Sequence, residues 1–257
     1  MHRRNLLKSA VAPAALGAMG VMGAGAIAGA AERPARSPES EKKAAAAGRS
    51  TPLRVQVLMF DGVEEQDYIA PFEVFAAAKK IGGAVETSYV ALDGPRTVTS
   101  AYGTKIVVEK GWAPESADLL VVPGGGWGSP GAGVSEEIRR GTLPKALADA
   151  KRPDLIVASI CTGAMLLSAA GLTKGRNCTT HHKVKDALRS QGGVIRDARV
   201  VDDGDLVTAG GITSGLDLAL WLVQRELNNS DLVLSLELML EYERRGIVWR
   251  APGATAK

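Results

Sequence analysis

The stretch LIVASICTGA, residues 155–164, decides the fold of this 257-residue chain. Its first six residues are mostly apolar, which is typical of a buried parallel strand, and only small residues follow Cys161. A sharp turn from strand to helix holds its central residue in a strained backbone conformation and tolerates little bulk beside it. We therefore predict a nucleophile elbow with Cys161 at its centre.

Outward from this elbow, strand and helix patterns alternate in both directions. The predicted strands are 53–60, 86–92, 105–108, 118–122, 155–160, 176–180 and 205–209, with short ones near 194 and 200. The predicted helices are 71–82, 135–150, 162–170, 182–190, 214–227 and 231–243. Pro71 is expected in the first turn of the first helix. The alternation predicts an α/β fold, a single-domain parallel-sheet sandwich of flavodoxin-like type, whose ligands bind at the carboxyl ends of the strands.

The first thirty residues have the composition of a signal peptide. Arg3 and Arg4 precede a Gly/Ala-rich apolar stretch, and Ala28-Gly29-Ala30 is a small-x-small cleavage pattern. This predicts export by the twin-arginine route, to the periplasm or the outside, with only transient membrane contact. The alternative is an uncleaved leader that tethers the protein to the membrane.

The rest of the chain divides into three parts. Residues 31–52 are predicted to be a disordered linker, residues 53–245 the folded domain and residues 246–257 a flexible tail. The net charge of +3 belongs to the leader, which has three basic residues and no acidic one, so the remainder carries 28 basic against 28 acidic residues. The basic excess therefore gives no reason to expect a nucleic-acid partner.

The two cysteines are interpreted separately. The helix that begins after Cys161 predicts a thiol pKa below its usual value, because the N-terminus of a helix stabilises a thiolate. The alternative is that Cys161 is only a small buried hydrophobe. Cys178, in the middle of a predicted strand, keeps that second interpretation.

Further candidates follow other predicted strands. Gly124-Gly125-Gly126 is expected to offer free N–H groups that form an oxyanion hole with the N–H of Thr162, or else to be a turn without a ligand. His181 and His182 are expected at the same edge of the sheet, or as caps of the next helix. No second pair with ligand spacing accompanies them, so no metal is predicted. The carboxylates after the first strand, among which composition does not choose, are Asp61, Glu64, Glu65 and Asp67.

Five motifs together resemble the PfpI/DJ-one superfamily of the class I glutamine amidotransferase-like fold. They are FDGVEEQDYIAPFEVF, LLVVPGGG, ASICTGAMLLSAAGL, CTTHH and LVTAGGITSGLDLAL, and they extend from about Leu53 to Tyr242. More closely, they are similar to its isonitrile hydratase branch. The resemblance implies three catalytic residues, which are Cys161, Asp67 and Thr162. It also implies that Gly125, Gly126 and His181 bind the oxyanion or the substrate.

The same resemblance implies an activity, a cysteine-dependent hydration of a small organic isonitrile to an N-formamide, with no cofactor, in a homodimer. Two alternatives are a glyoxalase-like or deglycase-like reaction on α-oxoaldehydes, and a ligand-sensing or redox-sensing domain without turnover. Gln66, Ala70 and His182 depart from the pattern of the branch near the expected pocket. The identity of the substrate is therefore open.

Overall fold

The computed structural model describes residues 51–251, so the predicted leader and nearly all of the predicted linker lie outside the described residues. The strands in that range are β1 (Leu53–Met59), β2 (Val85–Ala91), β3 (Arg96–Thr99), β4 (Lys105–Val108), β5 (Lys110–Gly111), β6 (Leu119–Val122), β7 (Ile156–Ser159), β8 (Asn177–Cys178), β9 (Val194–Ile195), β10 (Val200–Asp202), β11 (Leu206–Ala209) and β12 (Trp249–Arg250). The α-helices are α1 (Glu65–Lys80), α2 (Val134–Arg140), α3 (Thr142–Asp149), α4 (Gly163–Ala169), α5 (Lys185–Ser190), α6 (Ser214–Leu227) and α7 (Ser230–Leu240).

Eight of these strands form one central sheet, in the order β12-β10-β11-β7-β6-β1-β2-β5. Every neighbouring pair is parallel except β10 and β11. Helices α1, α6 and α7 contact one another, while α2 to α5 form a second connected group, which gives the two helical layers of an α/β sandwich. All four residues of β6 are buried, as expected for a central strand covered on both faces. The predicted α/β class with a mostly parallel sheet is confirmed.

The first helix begins earlier than predicted. It starts at Glu65, where the side chain of Glu64 accepts a hydrogen bond from the backbone N–H of Asp67 and so caps the helix. Pro71 lies inside this helix rather than in its first turn, so the prediction for Pro71 is wrong. A proline has no N–H, and the carbonyl group of Asp67 therefore lacks its usual helical donor four residues later.

Three other elements differ from the prediction. The helix expected over 135–150 is divided at Gly141, whose φ of 74° is left-handed and ends α2 before α3 begins. The strand expected over 176–180 is only β8, which pairs with β9 outside the central sheet. Strand β4 forms a separate antiparallel hairpin with β3.

The fold continues past residue 245, where a flexible tail was expected. Strand β12 pairs with β10 at one edge of the central sheet. The guanidinium group of Arg196 lies 4.7 Å from the ring centre of Trp249, and that of Arg250 lies 5.6 Å from the ring centre of Trp221. These cation–π contacts hold the last strand in place. Within residues 51–251, no helix is both long and apolar enough to cross a membrane.

The four adjacent strands β11, β7, β6 and β1 position the candidate site. They are parallel to one another, so their carboxyl ends meet at the same edge of the sheet. The loops that leave this edge contain Gly210, Cys161, Gly124 and the start of α1, in that order across the sheet.

Candidate active site

The predicted elbow is present at the end of β7. Cys161 has a φ of 54°, in the left-handed region that residues with a β-carbon rarely adopt. Its backbone N–H donates to the carbonyl oxygen of Gly210 at 2.8 Å, and its own carbonyl oxygen accepts from Oγ1 of Thr180 at 2.7 Å. These bonds hold the strained backbone in place.

The elbow also explains the small residues around it. A β-carbon on Gly163 would lie 2.7 Å from the carbonyl oxygen of Pro123. A β-carbon on Gly124 would lie 2.5 Å from Oγ1 of Thr162. The elbow and the loop after β6 therefore approach each other at a distance that only glycine permits.

Asp67 is the carboxylate that the fold brings to the cysteine. It is 0% exposed, and its Oδ2 accepts the backbone N–H of Gly124 at 2.9 Å. Its Oδ1 is buried and has no hydrogen-bond partner within the described part of the chain. Burial, and next the charge of Glu64, raise the pKa of Asp67 well above the usual value for an aspartate.

The prediction of a lowered thiol pKa is wrong. Cys161 is only 5% exposed, and this burial, together with the charge of Asp67, raises the pKa of its thiol to about 12. The backbone N–H groups of Ile212 and Thr162 donate to the sulfur and act in the opposite direction, but they do not outweigh burial. At neutral pH the thiol is therefore protonated, and a base must take its proton before sulfur can attack.

Two of the three N–H groups of the glycine loop after β6, those of Gly124 and Gly125, are not the free donors that were expected. The N–H of Gly125 donates to Oγ1 of Thr162 at 2.9 Å, and the N–H of Gly124 is bound by Asp67. At Gly126 the bond that the structure shows is to the carbonyl oxygen, from the N–H of Ser129 at 3.2 Å, so the predicted role of its N–H stays a prediction. The loop therefore fixes Asp67 and Thr162, and the expectation of open N–H groups at positions 124 and 125 is wrong.

Sequence reasoning did not single out Ile212, although it supplies an N–H to the sulfur. Its φ of 43° is left-handed, which is unusual for a β-branched residue. It follows Gly210-Gly211 at the end of β11, just as the glycine loop follows β6. The pair of glycines after a second buried strand is the sequence pattern that would have indicated a role for Ile212.

His181 lies at the same edge, as expected. Its backbone N–H approaches the carbonyl oxygen of Cys161 at 3.4 Å, and its Nδ1 accepts from the N–H of Lys183 at 3.3 Å. The predicted capping role is therefore confirmed for this residue, which begins the short 3-10 helix His182–Val184. Burial, and then His182 and Lys183, lower the pKa of His181, so its imidazole is neutral at pH 7.

A cavity of about 380 Å³ is lined by Gly210 and Thr180, which hydrogen-bond the backbone of Cys161, although Cys161 itself does not line it. The rings of His181 and His182 lie 4.3 Å apart and form part of its wall, and Gly211 and Ile212 form another part. Of the three residues that differ from the isonitrile hydratase motifs, His182 therefore lines the cavity, whereas Gln66 is exposed to solvent.

The remaining carboxylates after β1 point elsewhere. Asp61 accepts hydrogen bonds from Nη1 of Arg96 at 2.8 Å and from the N–H of Thr99 at 2.9 Å. Glu65 accepts the N–H of Tyr102 at 3.0 Å. Composition could not distinguish among these four carboxylates. The structure places Asp67 and its neighbour Glu64 beside the cysteine and the other two elsewhere.

The second cysteine is removed from this arrangement. Cys178 is fully buried, and burial raises the pKa of its thiol to about 11. Both cysteines are free, and the interpretation of Cys178 as a small buried hydrophobe is confirmed. Among residues 51–251, no group of three or more His, Cys, Asp or Glu side chains is placed to hold a metal ion.

Comparison with known proteins places this site in a family. The model of the DJ-1/PfpI family matches residues 53–225. An isonitrile hydratase from Pseudomonas putida is 32% identical over 191 residues, which cover 74% of this chain and 78% of that protein. A deglycase from Thermococcus kodakarensis is 31% identical over 160 residues, which cover 61% of this chain and 89% of that protein.

Solved structures agree in fold. A ThiJ/PfpI family protein from Pseudomonas syringae superposes with a TM-score of 0.66 at 24% identity and covers 88% of each chain. The DJ-1beta protein of Drosophila melanogaster superposes with a TM-score of 0.64 at 20% identity, over 75% of this chain and 100% of that one. With an elbow cysteine and a family model that spans most of the described residues, this chain belongs to the DJ-1/PfpI family.

Proposed function

We propose that the protein hydrates a small organic isonitrile to an N-formamide, with Cys161 as the nucleophile. The observation that carries this proposal is the buried Asp67 carboxyl beside the buried Cys161 thiol, with Oδ1 free of other hydrogen bonds in the described part of the chain. Similarity to an isonitrile hydratase over most of the chain supports the choice of substrate class.

In the first step, Asp67 takes the thiol proton while the sulfur of Cys161 bonds to the terminal carbon of the isonitrile. Asp67 then gives that proton to the same carbon, and a thioimidate, R–N=CH–S–Cys161, results. The N–H groups of Ile212 and Thr162 stabilise the negative charge on sulfur while it forms.

In the second step, water adds to the thioimidate carbon, and its proton passes through Asp67 to the nitrogen. The tetrahedral intermediate, R–NH–CH(OH)–S–Cys161, then loses its hydroxyl proton to Asp67 and expels the sulfur, which regains a proton from Asp67. The product is R–NH–CHO, and the net reaction is the addition of one water to one isonitrile. Gly125 holds Oγ1 of Thr162, and the cavity lined by His181 and Ile212 is the route that we propose for the substrate.

A second candidate is a reaction on α-oxoaldehydes, which uses the same thiol and is favoured by the similarity to a deglycase. Consumption of methylglyoxal without isonitrile turnover would decide for it. A redox-sensing role fits less well. Sensor cysteines are accessible and have a low pKa, whereas Cys161 is buried and its pKa is raised.

The decisive experiment uses the purified protein with cyclohexyl isonitrile and measures formamide by NMR. We expect turnover by the wild type and by Cys178→Ser, and none by Cys161→Ser. Cys178→Ser is the matched control, because it replaces the other buried free thiol. Equal rates for Cys161→Ser and the wild type would exclude Cys161 as the nucleophile.

We also propose that residues 1–30 direct export by the twin-arginine route, on the basis of Arg3 and Arg4. Cell fractionation tests this, and lysines at both positions should leave the protein in the cytoplasm.

A homodimer is proposed from the family resemblance. Leu238, which is 71% exposed on α7, supports the presence of an apolar surface for it. Analytical ultracentrifugation measures the mass in solution.

A further inference from the structure

Two carboxyl groups share the buried start of α1. Glu64 is 8% exposed and Asp67 is 0% exposed. Three hydrogen bonds join them to Gly124 in a closed ring. The N–H of Glu64 donates to the carbonyl oxygen of Gly124 at 2.9 Å, the N–H of Gly124 donates to Oδ2 of Asp67 at 2.9 Å, and the N–H of Asp67 donates to Oε2 of Glu64 at 3.0 Å. This ring fixes the positions of both carboxyl groups, so a charge on one acts directly on the other.

The two groups have different surroundings. Oε2 of Glu64 accepts the capping bond at the N-terminus of a helix of 16 residues, where a negative charge is stabilised. Oδ1 of Asp67 has no partner in residues 51–251 and lies in the fully buried part of the site. When the pair carries a single negative charge, that charge is therefore more stable on Glu64 and the proton is more stable on Asp67, so Asp67 acts as a base only at a pH where it too has lost its proton.

We propose that Glu64 is a positioning residue whose fixed negative charge makes Asp67 basic enough to take the proton from the Cys161 thiol. This inference rests on the proposed function in that it assigns Asp67 as the base. An ordinary aspartate is a poor base for a thiol whose pKa is about 12. Glu64 reduces this mismatch because its charge raises the pKa of Asp67.

The other groups that face the pair do not replace Glu64. Cys161 faces Asp67 from the elbow, and Gly124 contributes only its backbone N–H. Glu65 and Tyr68 are the titratable neighbours on α1, and burial, followed by the charge of Glu65, raises the pKa of Glu64 itself. No ion pair to Glu64 or Asp67 occurs in the part of the chain that the structure describes. The charge of Glu64 is therefore not neutralised by a cation.

The test is the pH dependence of kcat/KM for cyclohexyl isonitrile. Activity requires that the Asp67–Cys161 pair has lost one proton, so the acidic limb of the profile reports the pKa of Asp67. In Glu64→Gln the amide oxygen still accepts the capping bond but the charge is gone. We expect the acidic limb to move to lower pH and the plateau to fall about tenfold, because Asp67 is then a weaker base.

Two further variants complete this test. Glu64→Asp restores the charge and should return the acidic limb toward that of the wild type. Glu65→Gln is the matched control, because Glu65 is adjacent, carries the same charge and binds the N–H of Tyr102 away from the cysteine. A limb that stays in place in Glu64→Gln, or that moves equally in Glu65→Gln, would overturn the proposal.

A second readout separates this inference from the proposed function. Alkylation of Cys161 by iodoacetamide, followed by mass spectrometry across pH, needs no turnover. We expect the midpoint of alkylation to move to lower pH in Glu64→Gln, because removal of a nearby negative charge favours the thiolate. If this shift occurs in a protein that does not hydrate isonitriles, the proposed function fails and the role of Glu64 stands. Identical alkylation profiles for the two proteins would refute the role of Glu64.

Discussion

Replacement of Thr162 by valine tests how the glycine loop is attached to the elbow. Valine has nearly the same shape as threonine but cannot accept the hydrogen bond that Oγ1 of Thr162 receives from the N–H of Gly125 at 2.9 Å. Both groups are buried, so the substitution leaves one backbone donor without a partner. An unsatisfied buried donor costs about 1–3 kcal/mol in the free energy of unfolding. For a domain of this size, 2 kcal/mol corresponds to a fall in Tm of about 4–8 °C.

The matched control is Thr173→Val. Oγ1 of Thr173 is also buried, but it has no hydrogen-bond partner among the described residues, so its removal should leave the stability unchanged or slightly increased. Urea denaturation and calorimetry of the two variants measure the difference directly. If Thr162→Val and Thr173→Val unfold at the same temperature, the hydrogen bond from Gly125 does not hold the loop.

Four further outcomes are expected, from three variants. Asp67→Asn should lower kcat at least about 100-fold, because an amide cannot accept the thiol proton. The same variant tests a linkage: the raised pKa of Asp67 contributes stability at low pH that is lost as pH rises through the folded-state pKa, so unfolding of Asp67→Asn should depend less on pH than that of the wild type. Gly163→Ala should give insoluble or strongly destabilised protein in expression and thermal unfolding trials, because its β-carbon would collide with the carbonyl oxygen of Pro123. Asp202→Ala should lower the unfolding free energy in urea by about 1–3 kcal/mol, since it removes one of the two carboxylates paired with Arg225 and leaves the indole N–H of Trp221 without its acceptor, while the pair of Arg225 with Glu226 remains.

The part of the site that local sequence predicts well is the elbow. A buried strand, a cysteine and small residues follow one another within ten positions, and steric demands at such a turn are local. Asp67 required the family resemblance, because four carboxylates follow β1 and only the folded chain shows that Asp61 and Glu65 bind elsewhere.

The thiol pKa could not be predicted in this way. The expectation was based on the start of α4. The thiol pKa instead depends on burial and on the charge of Asp67, which lies 94 positions before Cys161 in the chain. The N–H of Gly125 is a similar case, because its partner Thr162 belongs to another loop. Both errors concern contacts between elements that are distant in sequence.

The contact between β12 and β10 has a consequence for how the protein behaves in a concentrated solution. An uncovered strand at the edge of a sheet presents a row of N–H and carbonyl groups that can bind a strand of another molecule. In this fold β12 pairs with the outer side of β10 and so covers its N–H and carbonyl groups. Cation–π contacts with Arg196 and Trp221 hold the two residues of β12 there. A chain that ends before Trp249 would therefore lose solubility through self-association before it lost its catalytic geometry.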